Sequence, residues 1–202
     1  MSYKRIGGYI RLVDKRNNNL AVTLLRGVST TKQLIESVAN MSGVSLHNYK
    51  VVGKRQFVYV SDTSRSTEKI GIALNTGEAC IVSSIYSVFE VINDEELLPE
   101  YLMMWFTRSE FDREACFHAV GGVRGSLEWE DFENLQLPIP HPDKQKEIGK
   151  EYNTIVNRIA LNNQHIKKLE ETAQAIFREW FVDFEFPNEN GKPYKSNGGE
   201  MV

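Results

Sequence analysis

The most regular hydrophobic pattern in the chain lies between Ile148 and Trp180, where seam positions recur at alternating spacings of four and three residues. This alternation is typical of a coiled coil. The positions are Ile148, Tyr152, Ile155, Ile159, Asn162, Ile166, Leu169, Ala173, Ile176 and Trp180. A helix of this length spans on the order of 50 Å, and its apolar stripe needs another helix to cover it.

No second helix of matching length is visible in the remaining sequence, so the pattern predicts a partner for the seam. Asn162 is its one polar position. A buried amide in such a seam gives up some stability to fix register and strand number. The alternative is a long surface helix packed on its own domain.

Upstream of this helix, short apolar stretches alternate with turn residues. Residues 49–60 are rich in β-branched and aromatic side chains around a Gly-Lys turn, which predicts two strands, and residues 71–74 and 80–91 predict more strand. The Ser29–Thr31 cluster before Gln33 predicts an N-capped short helix.

The segment after residue 93 is more helical. Pro99 favours a helix that continues toward Phe117, and the glycine-rich residues 121–126 end it in a loop that presents Arg124. A proline-stopped strand at residues 135–142 then marks a boundary. We therefore predict an α+β fold: a mixed α/β globular domain at 1–142, one long coiled-coil-forming α-helix at 143–186, and an extended tail with linker composition at 187–202.

Bulk composition is that of an ordinary soluble protein, with 41% hydrophobic and 25% charged residues among 202. No apolar run approaches the ~20 residues of a membrane span, and the N-terminus lacks a signal-peptide core, so the cytoplasm is the expected location.

Cys80 and Cys116 lie far apart and the four histidines are scattered, which predicts neither a metal site nor a disulfide framework.

Charge is segregated along the chain despite a net charge of only -3. Residues 1–89 hold 12 Lys+Arg against 5 Asp+Glu, whereas residues 90–140 hold 3 against 12. A basic part beside an acidic part is the pattern of a phosphate-facing surface with a separate protein-facing or solvated one.

The sequence contains no recognisable set of catalytic residues. There is neither the cofactor-binding glycine motif of a methyltransferase nor the Asn/Asp-Pro-Pro-aromatic stretch that holds a flipped base. Asp143, Glu147 and Lys150 fall within about two turns of one helix, and Asp183 and Glu185 alternate with large aromatics that favour packing. The sequence predicts a binding protein.

Two groups of short motifs stand out along the chain. The first group lies in and around the long helix: Leu137-Pro138-Ile139-Pro140, Gln145, Asn162-Asn163, Ile176-Phe177 and Trp180-Phe181-Val182-Asp183-Phe184. The second group lies upstream: Gly27-Val28-Ser29, Asn48 to Val52, Gln56-Phe57, Ile81-Val82-Ser83, Tyr86 to Phe89, Leu98 to Leu102, and Gly122-Val123-Arg124. The first group resembles the spacer helix, and the second a target recognition domain, of specificity (S) subunits of Type I restriction-modification systems.

The resemblance implies a non-catalytic subunit that reads half of a bipartite double-stranded DNA target in the major groove. Methylation (M) subunits and a motor/nuclease (R) subunit are the implied partners, and S-adenosylmethionine, ATP and Mg are expected only on them. One recognition domain and one spacer are present instead of two of each. This implies either a homodimer through the helix or the N-terminal half of a longer subunit.

The predicted DNA contacts are polar and basic side chains on loops, because phosphate contacts position a protein and base contacts specify the sequence. They are Arg124, Arg65, Ser66, Thr67, Lys54, Arg55, Thr31 and Lys32. The alternative for each arginine is a solvated surface position. The alternative for the whole chain is a coiled-coil protein-interaction module without DNA specificity.

Overall fold

Ten short strands and four α-helices make up the regular structure of the computed structural model, which describes residues 3–37, 45–61, 69–119 and 125–199. The strands are β1 (Tyr3–Arg5), β2 (Ile10–Leu12), β3 (Arg26–Val28), β4 (Leu34–Glu36), β5 (Lys50–Val52), β6 (Phe57–Val60), β7 (Gly71–Leu74), β8 (Cys80–Val82), β9 (Ser87–Val91) and β10 (Gln136–Pro138). The helices are α1 (Pro99–Phe106), α2 (Ser109–His118), α3 (Trp129–Asn134) and α4 (Pro142–Phe177). The chain divides into two compact units, Met1–Lys150 and Glu151–Val202.

The first unit is built on an antiparallel sheet with the strand order β2-β9-β6-β7. Because side chains alternate across a strand, neighbouring residues of β6 enter different cores. Phe57 and Tyr59 join a large aromatic cluster, in which Phe57 stacks on Phe89 with ring centroids 4.7 Å apart. Val58 faces a smaller cluster with Val52 and residues of β8 and β9. Both faces of this sheet are therefore buried at its centre.

Three two-stranded sheets surround it: β1 with β10, β3 with β4, and β5 with β8. The predicted strand pair around Gly53 is present as β5 and β6, although each pairs with other strands. The prediction of a short helix after Ser29–Thr31 is wrong, since Leu34–Glu36 is a strand. It pairs antiparallel with Arg26–Val28, and this pairing outweighs the local capping signal.

Two helices stand where one was predicted after Pro99. Helix α1 ends at Phe106 and α2 begins at Ser109. Phe106 and Phe111 lie on either side of this break, with ring centroids 4.8 Å apart in the aromatic cluster. The break lets both helices bury an aromatic residue in the same core. Helix α3 adds Phe132 to the same core.

The predicted long helix is confirmed as α4, a single α-helix of 36 residues. A π-helical turn at Arg178–Val182 follows it, so the helical segment ends before the predicted residue 186. None of the helices in the described ranges is both long and apolar enough to cross a membrane.

The tail of the second unit is folded between residues 183 and 199, whereas its composition predicts an extended linker. The rings of Phe186 and Tyr194 stack with centroids 4.7 Å apart, and Pro187 forms an antiparallel bridge with Pro193. The Glu185 carboxylate accepts hydrogen bonds from the backbone N–H and the hydroxyl of Ser196. These contacts join residues six to eleven apart, which composition does not reveal.

Candidate nucleic-acid interface

Folding brings the basic and acidic parts of the sequence together. Arg11 on β2 pairs with Glu90 on β9 at 2.6 Å, and Arg55 lies 2.9 Å from Asp94. A third pair joins Lys32 to the α2 residue Asp112. Part of the positive excess of residues 1–89 is therefore neutralised inside the domain and is not available to phosphates.

The Lys54 and Arg55 candidates lie in the turn between β5 and β6. Arg55 has a φ of 66°, and its guanidinium also approaches Glu100 at 3.3 Å. Two carboxylates thus hold the Arg55 side chain in place. Lys54 is exposed and remains a candidate for DNA contact.

Thr31 and Lys32 lie in the turn between β3 and β4, and their side chains have different environments. Thr31 is exposed, and its hydroxyl is 2.7 Å from that of Ser29. The Lys32 side chain is only 5% exposed and its ammonium lies 2.5 Å from Asp112. Burial lowers the pKa of Lys32, and the hydrogen bond and charge of Asp112 oppose that shift. Lys32 therefore occupies a buried position rather than one from which it could reach DNA.

The other candidates, Arg65, Ser66, Thr67 and Arg124, lie outside the described residues. Within the ranges that are described, no hydrogen bond or ion pair joins the Thr31 turn to the Lys54 turn. The structure therefore places these two turns as separate elements.

Three cations and a histidine that the sequence analysis did not single out lie on two backbone segments that run side by side at β5. The segment around Lys15 runs along this strand, with the Val51 N–H donating to the Lys15 carbonyl at 2.7 Å. Arg16 forms a β-bridge with Lys50, and its guanidinium donates to the Asn48 carbonyl. We name Lys15, Arg16, His47 and Lys50 the basic patch. The sequence carries no signal for this set, because Arg16 and Lys50 meet only through the pairing of their two backbone segments.

The basic patch is only partly neutralised. Asp14 lies 2.8 Å from Arg16 and 3.9 Å from Lys50. Burial lowers the pKa of Lys50, and the charge of Asp14 opposes this shift. Lys15 and His47 are exposed, and His47 Nδ1 lies 2.9 Å from the Asn18 carbonyl oxygen. A surface of this kind suits phosphate groups, which basic side chains bind without reading sequence.

The helix seam consists mostly of exposed apolar side chains. Ile155 is 64% exposed and Leu169 is 69% exposed, and the helix around them is solvated on every side. Ile148 differs, since it packs against the aromatic core of the first unit. Trp180 lies in the π-helical turn, where the spacing of side chains changes. The exposed seam therefore extends from Tyr152 to Ile176.

An aromatic cavity of about 490 Å³ lies in the second unit. Its lining is apolar and comes from the π-helical turn and the start of the tail: Trp180, Phe181, Phe184, Phe186 and Pro187. The aromatic residues near the end of the helix are only partly packed, since Trp180 is 40% exposed and Phe181 is 62% exposed. Among the described residues, no group of three or more His, Cys, Asp or Glu side chains could hold a metal ion.

Comparison with known proteins gives consistent matches. The Type I restriction enzyme HindI specificity subunit of Haemophilus influenzae is 30% identical over 107 residues, which cover 52% of this chain and 23% of that protein. The HsdS subunit from Thermoanaerobacter tengcongensis has the same fold, with a TM-score of 0.59 at 17% identity over 95% of this chain and 50% of that chain. The S subunit from M. genitalium gives a TM-score of 0.57 at 12% identity over 90% and 46%.

The chain thus spans about half the length of these solved relatives. A family model described as the Type I restriction modification DNA specificity domain matches residues 28–171, which is more than half of the chain. That range includes the turns that carry Thr31 and Lys54, the basic patch residues His47 and Lys50, and most of α4. The chain belongs to the family of Type I restriction modification DNA specificity domains.

Proposed function

We propose that this chain is a non-catalytic DNA-recognition subunit of a Type I restriction-modification complex that reads one half of a bipartite target. The observation that carries the proposal is a regular, exposed apolar helix stripe, from Tyr152 to Ile176, in a chain whose residues 28–171 match a DNA specificity domain. The domain would read bases in the major groove, and the helix would fix the distance to the second half-site.

The basic patch supports the phosphate-binding part of this role. Lys15 and Arg16 would neutralise phosphates beside β5, while side chains on turns would reach base edges. Thr31 and Lys54 are exposed on such turns. The arginine and hydroxyl candidates Arg65, Ser66, Thr67 and Arg124 remain predictions from the sequence.

An antiparallel homodimer, the arrangement that the family resemblance implies, fits this seam, because the spacing is the same in both directions about Gln164. A second copy related by a two-fold axis at Gln164 would complete four layers of the seam. These layers pair Tyr152, Ile155, Ile159 and Asn162 with, respectively, Ile176, Ala173, Leu169 and Ile166 of the partner subunit. The alternative cover is a second spacer helix in a longer subunit, because the chain spans about half the length of its solved relatives.

Catalysis would then lie in partner subunits. Methylation subunits with S-adenosylmethionine would modify the DNA, and a motor/nuclease subunit with ATP and Mg would cleave it. The family assignment supports this division of labour. The function of this chain would be to choose the sequence and hold the spacing.

Retention of a random-sequence DNA duplex at increasing salt tests the DNA-binding part. A protein that makes six to ten phosphate contacts loses roughly 10³–10⁵ in affinity between about 50 and about 200 mM salt, because bound counterions are released. The proposal requires such a slope. A protein-interaction module without DNA function, the competing proposal, shows weak retention with no systematic dependence on salt.

Disulfide cross-linking tests the antiparallel dimer. We would replace Cys80 and Cys116 with alanine, and then prepare Ile155→Cys and Ala173→Cys as separate chains. The antiparallel pairing predicts cross-linked dimers only when the two chains are mixed. Cross-links within Ile155→Cys alone would indicate parallel helices and reject this arrangement.

A further inference from the structure

A lysine and an aspartate form a buried ion pair beneath the turn between β3 and β4. Lys32 Nζ lies 2.5 Å from Asp112 Oδ1, and the two side chains are only 5% and 10% exposed. The ammonium also lies 4.7 Å from the centre of the Phe111 ring. Its charge is thus surrounded by the aromatic core rather than by water.

This pair connects three separate parts of the first unit. Asp112 Oδ1 also accepts the Ile70 N–H at 3.2 Å, and Lys32 Nζ donates to the Ile70 carbonyl at 3.4 Å. The turn, the residue that precedes β7 and helix α2 therefore meet at one pair of charges. Buried ion pairs contribute little net stability compared with apolar packing of the same volume. Their presence is better explained by the arrangement that they impose.

The turn that Lys32 anchors is itself tightly closed. The Ser29 N–H donates to the Gln33 carbonyl at 2.9 Å, and the Lys32 N–H donates to the Ser29 carbonyl at 3.0 Å. Lys32 has a φ of 61°, a left-handed conformation that is uncommon for a residue with a side chain. This conformation accompanies the inward course of the Lys32 side chain while Thr31 and Gln33 on either side of it are exposed.

The exposed side chains suit the reading of base edges. A glutamine amide can donate to and accept from adenine in the major groove, and a hydroxyl can bond to any base. Such contacts discriminate only when the side chains are held in a defined position, because misplaced polar groups bond to water instead.

We propose that the turn Ser29–Gln33 reads bases through Gln33 and Thr31, and that the Lys32–Asp112 pair is a positioning pair that orients it. This inference rests on the proposed DNA-recognition function and deepens it. It gives Lys32 a role different from direct contact with DNA. It also assigns a base-reading role to Gln33.

The test is selection of bound duplexes from a random-sequence library by the full chain. Sequencing gives the preferred motif of the wild type, and binding of that motif and of a scrambled duplex then gives the selectivity of each variant. The double variant Lys32→Met/Asp112→Asn removes both charges, while the asparagine carbonyl still accepts the Ile70 N–H. Gln33→Ala removes an exposed base-reading amide without disturbing the core. Arg11→Gln/Glu90→Gln is the matched control, since it removes an ion pair between neighbouring strands of the main sheet.

We expect Gln33→Ala to lower selectivity by roughly tenfold at one base position, as the loss of a good base contact does. The Lys32/Asp112 double variant should lose selectivity at the same position while binding scrambled DNA as the wild type does. Selectivity of the Arg11/Glu90 control should not change. Thermal unfolding establishes that each variant is folded.

Two results would overturn the inference while leaving the proposed function in place: unchanged selectivity in either Gln33→Ala or a folded Lys32/Asp112 double variant. If the double variant does not fold, unchanged selectivity of Gln33→Ala alone still rejects the base-reading turn. A wild type that shows no salt-dependent DNA binding would instead reject the proposed function, and this inference with it.

Discussion

Gln145 in the first turn of α4 bonds to the backbone of Leu98 just before α1. Its Oε1 accepts the Leu98 N–H at 2.8 Å, and its Nε2 donates to the carbonyls of Glu96 at 2.7 Å and Pro140 at 2.8 Å. The residue is 1% exposed. One amide therefore satisfies three backbone groups and fixes the start of the long helix to the recognition domain.

We expect Gln145→Ala to lower the free energy of unfolding by about 2–4 kcal/mol, because it leaves buried backbone groups without partners. Urea denaturation measures this change. Gln164→Ala, on the exposed part of the same helix, is the control and should change stability by less than about 0.5 kcal/mol. If Gln145→Ala lowers the free energy of unfolding as little as the Gln164→Ala control does, the Gln145 hydrogen bonds contribute nothing to stability.

Breaking the buried ion pair should cost more than removing it. Lys32→Met alone leaves the Asp112 carboxylate buried without its cation, which typically costs about 3–5 kcal/mol. Lys32→Met/Asp112→Asn removes both charges and should recover most of that loss. Urea denaturation of both variants measures the difference. A double variant as unstable as the single one would contradict this account.

Self-association should depend on the seam face of α4 and not on its apolar residues in general. Ile159→Asp places a charge in the seam and should make the chain monomeric at micromolar concentration. Leu161→Asp is a matched control, since Leu161 is 52% exposed but lies outside the seam. Analytical ultracentrifugation distinguishes the two, and dissociation by both variants would reject the seam.

Neutralising the basic patch should weaken DNA binding without changing the preferred sequence. Lys15→Gln removes one phosphate contact, so the slope of log affinity against log salt should become shallower by roughly one. Lys168→Gln makes the same change in net charge on α4 and should leave the slope unchanged. The measurement is salt titration of random duplex binding; equal slopes for wild type and Lys15→Gln would exclude Lys15 from the interface.

Glu90 should make a pH-dependent contribution to stability. Burial acts to raise its pKa, but hydrogen bonds from Gln56 and Arg11 and the charge of Arg11 outweigh this and hold the pKa below its ordinary value. A carboxylate with a lowered pKa stabilises the fold above the pKa of the unfolded chain, and this stability disappears as pH falls through the folded-state pKa. Wild type should therefore exceed Glu90→Gln in melting temperature at neutral pH. The difference should shrink as pH falls below the ordinary pKa of a glutamate and disappear once pH is below the lowered folded-state pKa, and a difference independent of pH would contradict it.

The sequence predicts local, periodic features of this protein well. The sequence predicts a helix start at Asp143, and the helix begins at Pro142. This agreement is close because heptad spacing and capping depend only on residues near in sequence. The prediction of a helix at Leu34–Glu36 fails because a distant contact decides the structure there. Its strand pairing with Arg26–Val28 depends on tertiary context that a capping motif does not contain.

The candidate site was harder to predict than the fold. Lys32 looked like a surface cation because its partner Asp112 is 80 residues away in the sequence. The basic patch likewise forms only when the Lys15 segment aligns with β5. Charge along the chain therefore indicates a class of ligand but does not reveal which basic side chains remain exposed after folding.

The pairing of cations from the first 89 residues with acidic residues further along also bears on how the protein folds. In the unfolded chain these opposite charges form separate blocks, and the attraction between them would favour contacts between the regions of Arg11 and Glu90, which pair in the folded sheet. Added salt screens that attraction. Refolding should accordingly slow as ionic strength rises, and the chain's charge order would serve assembly of the native sheet as well as ligand binding.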